Sequence, residues 1–274
     1  MRISDALSYA DRLNTDEARI DVEYLLCAVL GQSRSYLFTW PEHELSSAQQ
    51  QRFDALIAQR KAGHPVAHLL GSKGFWTFDL EVDSSTLIPR ADTEVLVELA
   101  LSLHDDSNKR VLDLGTGSGA IAIAVALERP RWEVLASDRV AAAVALASRN
   151  AKALGADNLS LLQGSWFEPV KGRFDLILSN PPYIDPVDPH LVSGDLRFEP
   201  LSALVAEDKG LADLRLIVNQ SPNYLHVGGW LALEHGYDQA EAVADLFVQA
   251  GFIDIQQRPD LGGNMRVSAG RWQG

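Results

Sequence analysis

The sequence predicts an α/β fold preceded by a small all-helical domain, and three observations lead there. From Arg110 onward, short apolar segments alternate with helix-length segments, the pattern of a parallel sheet wrapped by helices on both faces. Before about residue 70 only helical periodicity is visible. Between the two, residues 73–89 alternate apolar and polar side chains, as a half-buried strand does. A length of 274 residues, at ~150 per domain, leaves room for two domains. The expected division is a helical domain over 1–72, a β-hairpin connector over 73–90 and the α/β domain over 91–274.

The elements follow in order. Asn14 caps a first helix, with Glu17 three residues on. Ile20, Tyr24, Cys27 and Ala28 then recur at helical spacing, and Gly31 stops the run. Ser46 or Ser47 caps a second helix carrying Phe53, Leu56, Ile57 and Arg60, which Gly63 and Pro65 end. Short helices of this kind close a core only by packing together as a bundle. In the connector, Trp76, Phe78, Leu80 and Val82 interleave with Phe75, Thr77, Asp79, Glu81 and Asp83. Asp92 is placed to cap a helix over 94–103. Strands are expected at 111–114, 133–137, 159–163, 174–179, 230–234, 252–256 and 265–269, and helices at 120–128, 140–154, 211–225 and 239–250.

Composition excludes several classes. Hydrophobic residues at 46% and charged residues at 22% are those of a globular chain. Lys and Arg number 24 against 37 Asp and Glu, a net charge of −13. Such a chain is a poor non-specific binder of duplex phosphate, so no direct nucleic-acid binding is expected. A single cysteine, Cys27, permits no intramolecular disulfide and no thiolate zinc site; it reads as a small buried hydrophobe. His64 and His68 are split by Pro65 with no third ligand near, so no metal is expected. Trp40 and Trp76 read as packing residues. Met1 to Asp5 lacks a signal-peptide pattern, and no apolar run approaches the ~20 residues needed to span a bilayer. The expectation is a soluble, cytoplasmic monomer without membrane association.

The first α/β strand ends in Gly115-Thr116-Gly117-Ser118-Gly119. Glycines there let the backbone turn tightly and approach a ligand, with free N–H groups at the following helix start. Asp113, just before the turn, is unhelpful beside a pyrophosphate. It suits a ligand without phosphates and with a positive centre, and S-adenosylmethionine is one. Asp138 ends the second strand, where a carboxylate can accept both ribose hydroxyls. The bland alternative is a carboxylate that caps the next helix.

Asn180-Pro181-Pro182-Tyr183 follows the fourth strand and is the most specific signal. Ligands in open α/β sheets sit outside strand carboxyl ends near the topological switch, which places this tetrad beside the glycine loop. Two prolines remove two backbone donors, leaving the Asn180 side-chain oxygen and the Pro181 carbonyl as acceptors for a planar –NH2 group. Tyr183 offers an aromatic face for that group. The pattern suits methyl transfer to a conjugated amino nitrogen, helped by orientation and electrostatics, without a strong base.

The glycine loop together with the tetrad resembles the class I S-adenosylmethionine-dependent methyltransferases acting on planar nitrogens. One branch matches further, the bacterial peptide chain release factor N5-glutamine methyltransferases. The likeness runs through Leu87-Ile-Pro-Arg-Ala-Asp-Thr-Glu94, Gly164-Ser-Trp166-Phe167, Ile184-Asp-Pro-Val-Asp-Pro-His190, Gly194-Asp-Leu-Arg-Phe-Glu-Pro200 and Gly229-Trp-Leu-Ala-Leu-Glu-His-Gly236. The resemblance implies a class I methyltransferase Rossmann-like sheet. It also implies methylation of the glutamine in the Gly-Gly-Gln motif of class 1 release factors, with S-adenosyl-L-methionine as cofactor. Residues 115–119, Asp138, Trp166 and Asn180 would then contact the cofactor, Trp166 against its adenine. Asn180, Pro181, Pro182 and Tyr183 would form the glutamine pocket, with Asn180, Pro181 and Tyr183 at the reacting nitrogen. The N-terminal helices would dock the release factor. Ala91 stands where the family usually has proline.

Other readings share parts of this pattern. A glutamine methyltransferase of a large-subunit ribosomal protein is the nearest alternative. DNA adenine-N6 and rRNA guanine-N2 methyltransferases use a similar tetrad but must grip phosphates, which this acidic chain is poorly suited to do. A nicotinamide-dependent dehydrogenase leaves the tetrad unexplained, and a binding scaffold would not hold the methyl donor at all.

Overall fold

In the computed structural model, residues 1–13, 15 and 17–274 are described. The expected cap at Asn14 lies outside the described residues. The chain forms two compact units, Met1–Ser72 with Pro189–Phe198, and Lys73–Asp188 with Glu199–Gly274.

The first unit is helical: α1 (Ile3–Leu7), α2 (Ala18–Leu30), α3 (Arg34–Thr39), α4 (Ser47–Lys61) and α5 (Val66–Leu70). Gly31 ends α2 in the left-handed conformation, φ 65°, as its sequence position suggested. Ser46 caps α4 in a reciprocal capping box with Gln49. Phe53, Leu56, Ile57 and Arg60 are all buried on α4. On α2 the sequence marked a helix but not its inner face. Ile20 and Tyr24 are 40% and 49% exposed, and the buried stripe is Val22, Leu25, Leu26 and Val29. That stripe brings Asp21 and Glu23 inside, and each is neutralised there. Arg60 meets Asp21 at 2.7 Å and also Asp195 at 2.7 Å, while Glu23 pairs with Arg19 and Arg34. Cys27 is only half-buried and Trp40 is exposed, so neither is the core residue its type suggested.

A hairpin follows in the chain, β1 (Ser72–Phe75) and β2 (Phe78–Glu81). The alternation over 73–89 is therefore not one strand. Trp76, at φ 56°, turns the chain, and the buried set changes parity from Phe75 to Leu80 and Val82. Asp92 does not cap α6 (Glu94–Leu103). It lies inside a short 3-10 turn, Ala91–Thr93, and the cap position is Thr93.

A seven-stranded sheet follows: β3 (Arg110–Leu114), β4 (Glu133–Asp138), β5 (Leu159–Gln163), β6 (Phe174–Ser179), β7 (Leu225–Glu234), β8 (Phe252–Pro259) and β9 (Met265–Trp272). Its order is β5-β4-β3-β6-β7-β9-β8. The flanking helices are α7 (Ala120–Glu128), α8 (Ala141–Leu154), α9 (Ala212–Gln220) and α10 (Ala240–Gln249). The sheet is mixed rather than all parallel, because β9 runs antiparallel to both β7 and β8. No helix separates β8 from β9, so a turn reverses the chain. The expected helix over 211–225 stops at Gln220, ahead of Pro222, and β7 starts earlier than its apolar end suggested. α7 is buried from Ala120 to Ala126, which accounts for its all-round apolar sequence. The core gathers Leu112, Leu114, Ile177, Leu231, Leu233 and Phe247. Among the described residues no helix is long and apolar enough to cross a membrane.

Candidate active site

The chain runs from β3 outward to β4 and β5, then returns to β6 on the other side of β3. This reversal opens a crevice at the carboxyl ends of β3 and β6. The two strands are in register with Leu114 opposite Ser179, and the Ser179 hydroxyl donates to the Leu114 carbonyl at 2.7 Å. The glycine loop and the Asn-Pro-Pro-Tyr tetrad therefore leave the sheet side by side.

Within the second unit they share one cleft, with about 1070 Å3 of space counting its mouth. Residues 115–118 form one wall, Asp138 and Trp166 another, and Asn180 and Pro182 a third. Gly119, Pro181 and Tyr183 flank these lining residues in the chain without being among them. Gly119, at φ 89°, starts α7, and a Cβ there would come within 2.9 Å of Ile123 and 3.2 Å of Ala147. Gly115 sits under the Trp166 ring, where a Cβ would be 3.2 Å from the indole.

Asp138 serves two purposes at once. One oxygen accepts from the Gly117 N–H at 3.0 Å and the other from the Val140 N–H at 2.8 Å. The first contact shapes the glycine loop and the second begins α8. Each oxygen keeps a further lone pair for a ligand. Asp113 does not face the cleft. It is fully buried beneath the loop, accepts from the Thr116 hydroxyl at 2.6 Å, and burial pushes its carboxyl up to about 7.

The Asn180 NH2 donates to the Thr93 hydroxyl oxygen at 3.1 Å. Its Oδ1 is buried and has no hydrogen-bond partner among the described residues. The Tyr183 phenol donates to Glu234 at 3.1 Å, and burial with that carboxylate raises its acidity range far above neutrality, so it stays protonated. Glu234 is 1% exposed, and desolvation lifts it to about 7.

Thr93, Glu199, Asp213 and Glu234 were not singled out from sequence. Asp213 lines the cleft. Glu199 is buried, accepts from the Ile88 N–H at 3.0 Å and pairs with Arg90, fixing the strip that forms the cleft's outer wall. The available signal was that Arg90 and Glu199 both sit in stretches carrying the family likeness.

Asp113 and Glu234 also set a pH dependence. A carboxyl whose folded value is raised takes up protons on folding, so its contribution is fullest below the unfolded value and is lost as pH rises through the folded one. For Asp113 the window runs from 3.8 to about 7. The melting temperature of the native chain minus that of Asp113→Asn is expected to fall across this window. A difference constant with pH would show that the carboxyl is not displaced.

A glycine loop after the first strand, a carboxylate after the second and an Asn-Pro-Pro-Tyr turn at the switch point define a Rossmann-like methyltransferase. Comparison with known proteins agrees. Residues 3–71 match the family model "PrmC N-terminal domain" and residues 91–193 the "Methyltransferase small domain". A Pseudomonas aeruginosa protein named release factor glutamine methyltransferase is 52% identical, covering 94% of each chain. A Yersinia pestis protein of the same name is 51% identical over 97% of each. The fold also matches a Pyrococcus furiosus methyltransferase structure, TM-score 0.55 at 20% identity, covering 84% of this chain and all of that one. The chain belongs to the release factor glutamine methyltransferase family.

Proposed function

We propose that the protein transfers the methyl group of S-adenosylmethionine to the side-chain nitrogen of the glutamine in the Gly-Gly-Gln motif of class 1 release factors. The observation that carries this reading is the lone acceptor on Asn180. A buried acceptor without a partner costs about 1–3 kcal/mol, a cost removed when a carboxamide N–H donates to it.

The residues present fit the cofactor. The backbone at Gly115 and Gly117 is left-handed, leaving the loop bare of side chains where a ligand approaches. Residues 115–118, Asp138, Trp166 and Asn180 would hold it. When bound, it supplies a methyl group on a cationic sulfur.

The chain's own residues then have defined tasks. Asn180 Oδ1 accepts one N–H of the glutamine amide, and the Pro181 carbonyl is the second acceptor. Both acceptors favour the positive charge that grows on the amide nitrogen during attack. Holding both N–H bonds also fixes the direction of the nitrogen, and such positioning is worth up to ~7–11 kcal/mol in intramolecular reactions. Tyr183, held protonated against Glu234, is not a base, so the surplus proton leaves to water. The helical unit serves as the dock, where Ile20, Tyr24, Phe38 and Trp40 stand exposed.

Labelled S-adenosylmethionine offered with a release factor, a large-subunit ribosomal protein and DNA tests the assignment. Label is expected on the release factor and absent when its motif glutamine is alanine. Label on either rival instead would overturn it.

A further inference from the structure

We infer that Gln239, which opens α10, is a positioning residue of the substrate pocket: its side-chain amide holds the Tyr183 carbonyl and through it aims the Pro181 carbonyl. The inference rests on the reading that the Pro181 carbonyl is the second acceptor for the substrate amide.

The tetrad depends on its flanks for anchorage. Pro181 and Pro182 have no N–H to give to a neighbour. Upstream, the Ser179 hydroxyl donates to the Leu114 carbonyl at 2.7 Å and the Asn180 NH2 to Thr93 at 3.1 Å. Downstream, Tyr183 is held at two points. Its phenol donates to Glu234 at 3.1 Å, and its main-chain carbonyl accepts from Gln239 Nε2 at 3.0 Å. The proline rings fix φ, so the two residues between these anchors are stiff. A shift of the Tyr183 carbonyl is passed on to Pro181 rather than absorbed.

Gln239 sits in a socket that accepts a carboxamide in one orientation. It is 8% exposed. Nε2 also donates to the Lys209 carbonyl at 3.1 Å, and Oε1 accepts from the Gly236 N–H at 2.8 Å. All three partners are main-chain groups of fixed polarity, so both donor hydrogens and the acceptor are used and the amide has one arrangement. Two glycines make the room. An added Cβ at Gly210 would lie 2.7 Å from Nε2, and one at Gly236 3.0 Å from Oε1. Gly236 is itself fastened. Its carbonyl accepts from the Gln239 N–H at 3.0 Å and from His235 Nδ1 at 2.9 Å, while His235 Nε2 lies 2.9 Å from the Ser268 hydroxyl on β9. Burial lowers the His235 pKa, so the ring is neutral, and a carbonyl partner places its proton on Nδ1. The downstream anchor of the tetrad is thus tied through Gln239, Gly236 and His235 to the sheet.

The test replaces Gln239 with glutamate, which puts oxygen where the NH2 stood, and with methionine, which has similar length and no donor. Methylation of a release factor is measured on each, with calorimetric titration by S-adenosylmethionine and a melting curve. Counting donor sites by calorimetry scores only folded molecules, so a partly unfolded variant still reports. Per donor site, both variants are expected to lose kcat about a hundredfold, the effect of moving a positioned group by ~1 Å. Affinity for the methyl donor and KM for the release factor should stay within about threefold, since the aimed acceptor acts in the transition state. Acid separates positioning from general damage. At about pH 8 the glutamate sets a charged oxygen against two carbonyl oxygens. Those neighbours raise its carboxyl, and near pH 6 it regains a proton to donate to Tyr183. The kcat of Gln239→Glu relative to native should therefore recover about tenfold between those values, while that of Gln239→Met stays level. Asp208, Lys209, Glu234, His235, Asp238 and Arg266, the charged and titratable groups on the surrounding segments, are common to both variants, so the methionine variant subtracts them. Native-like kcat in either variant would overturn the role of Gln239, as would the same pH profile in both. If Asn180→Ala keeps native turnover, the substrate reading fails first. If it is inactive while both Gln239 variants keep native kcat, only the role of Gln239 fails.

Discussion

Asn180→Ala is expected to reduce methyl transfer to a release factor at least a thousandfold while leaving most of the affinity for S-adenosylmethionine. The loss has two sources. Removing one hydrogen bond that strengthens in the transition state typically costs about 2.7–4 kcal/mol. The amide nitrogen also loses its alignment, which belongs to the positioning contribution. The cofactor side of the cleft rests on residues 115–118, Asp138 and Trp166, which the substitution does not touch. Folding should be almost unaffected. Alanine forfeits the hydrogen bond to Thr93 but also removes a buried acceptor that has no partner, and these two effects oppose each other at ~1 kcal/mol each. Single-turnover assays, calorimetric titration with the methyl donor and a melting curve check the three parts. Turnover within tenfold of native in a folded variant would contradict the pocket assignment.

The parts of the site that could be read in the sequence are those where chemistry and chain position coincide. Residues 115–119 and 180–183 each follow a strand directly, so placing the strands places the motifs. Once β3 and β6 are neighbours, the loop and tetrad have to meet. What escaped was set by contacts between distant segments. On α2 two apolar stripes compete, and the inner one carries Asp21 and Glu23, which read as surface charges until Arg60, Arg19 and Arg34 are seen to neutralise them. The hairpin was expected over 73–90, but its turn was not placed, because Trp76 makes it without a glycine or asparagine to mark it. Thr93 and Glu234 escaped for the same reason as the α2 face. Nothing near either one in the sequence names its partner, which is Asn180 for Thr93 and Tyr183 for Glu234.

Gly210 shows how far such a contact can reach, and the second large effect is expected there. Its φ is +82°, and an added Cβ would lie 2.0 Å from the Tyr183 carbonyl oxygen and 2.7 Å from Gln239 Nε2. Neither neighbour yields easily. Gln239 Nε2 donates to that same carbonyl at 3.0 Å and to the Lys209 carbonyl at 3.1 Å, while its Oε1 accepts from the Gly236 N–H at 2.8 Å. One residue on, the Ile184 N–H donates to the Leu204 carbonyl at 2.9 Å and the Ile184 carbonyl accepts from Ala206 at 3.0 Å. Gly210→Ala must therefore push the backbone that carries the tetrad. A left-handed alanine costs roughly 1–2 kcal/mol and overpacking a further ~1–3 kcal/mol. In a unit of this size that lowers the melting temperature by roughly 10 °C. Transfer should fall about a hundredfold even where the variant is fully folded, since a shift of ~1 Å in a positioned group has that effect. Gly155→Ala is the control: its φ is +72° at the end of α8, with nothing within 4 Å of the added Cβ. It should show only the conformational cost, about 1 kcal/mol, and normal turnover. If the two alanine variants melt alike and turn over alike, the close approach at Tyr183 is not what holds the tetrad in place.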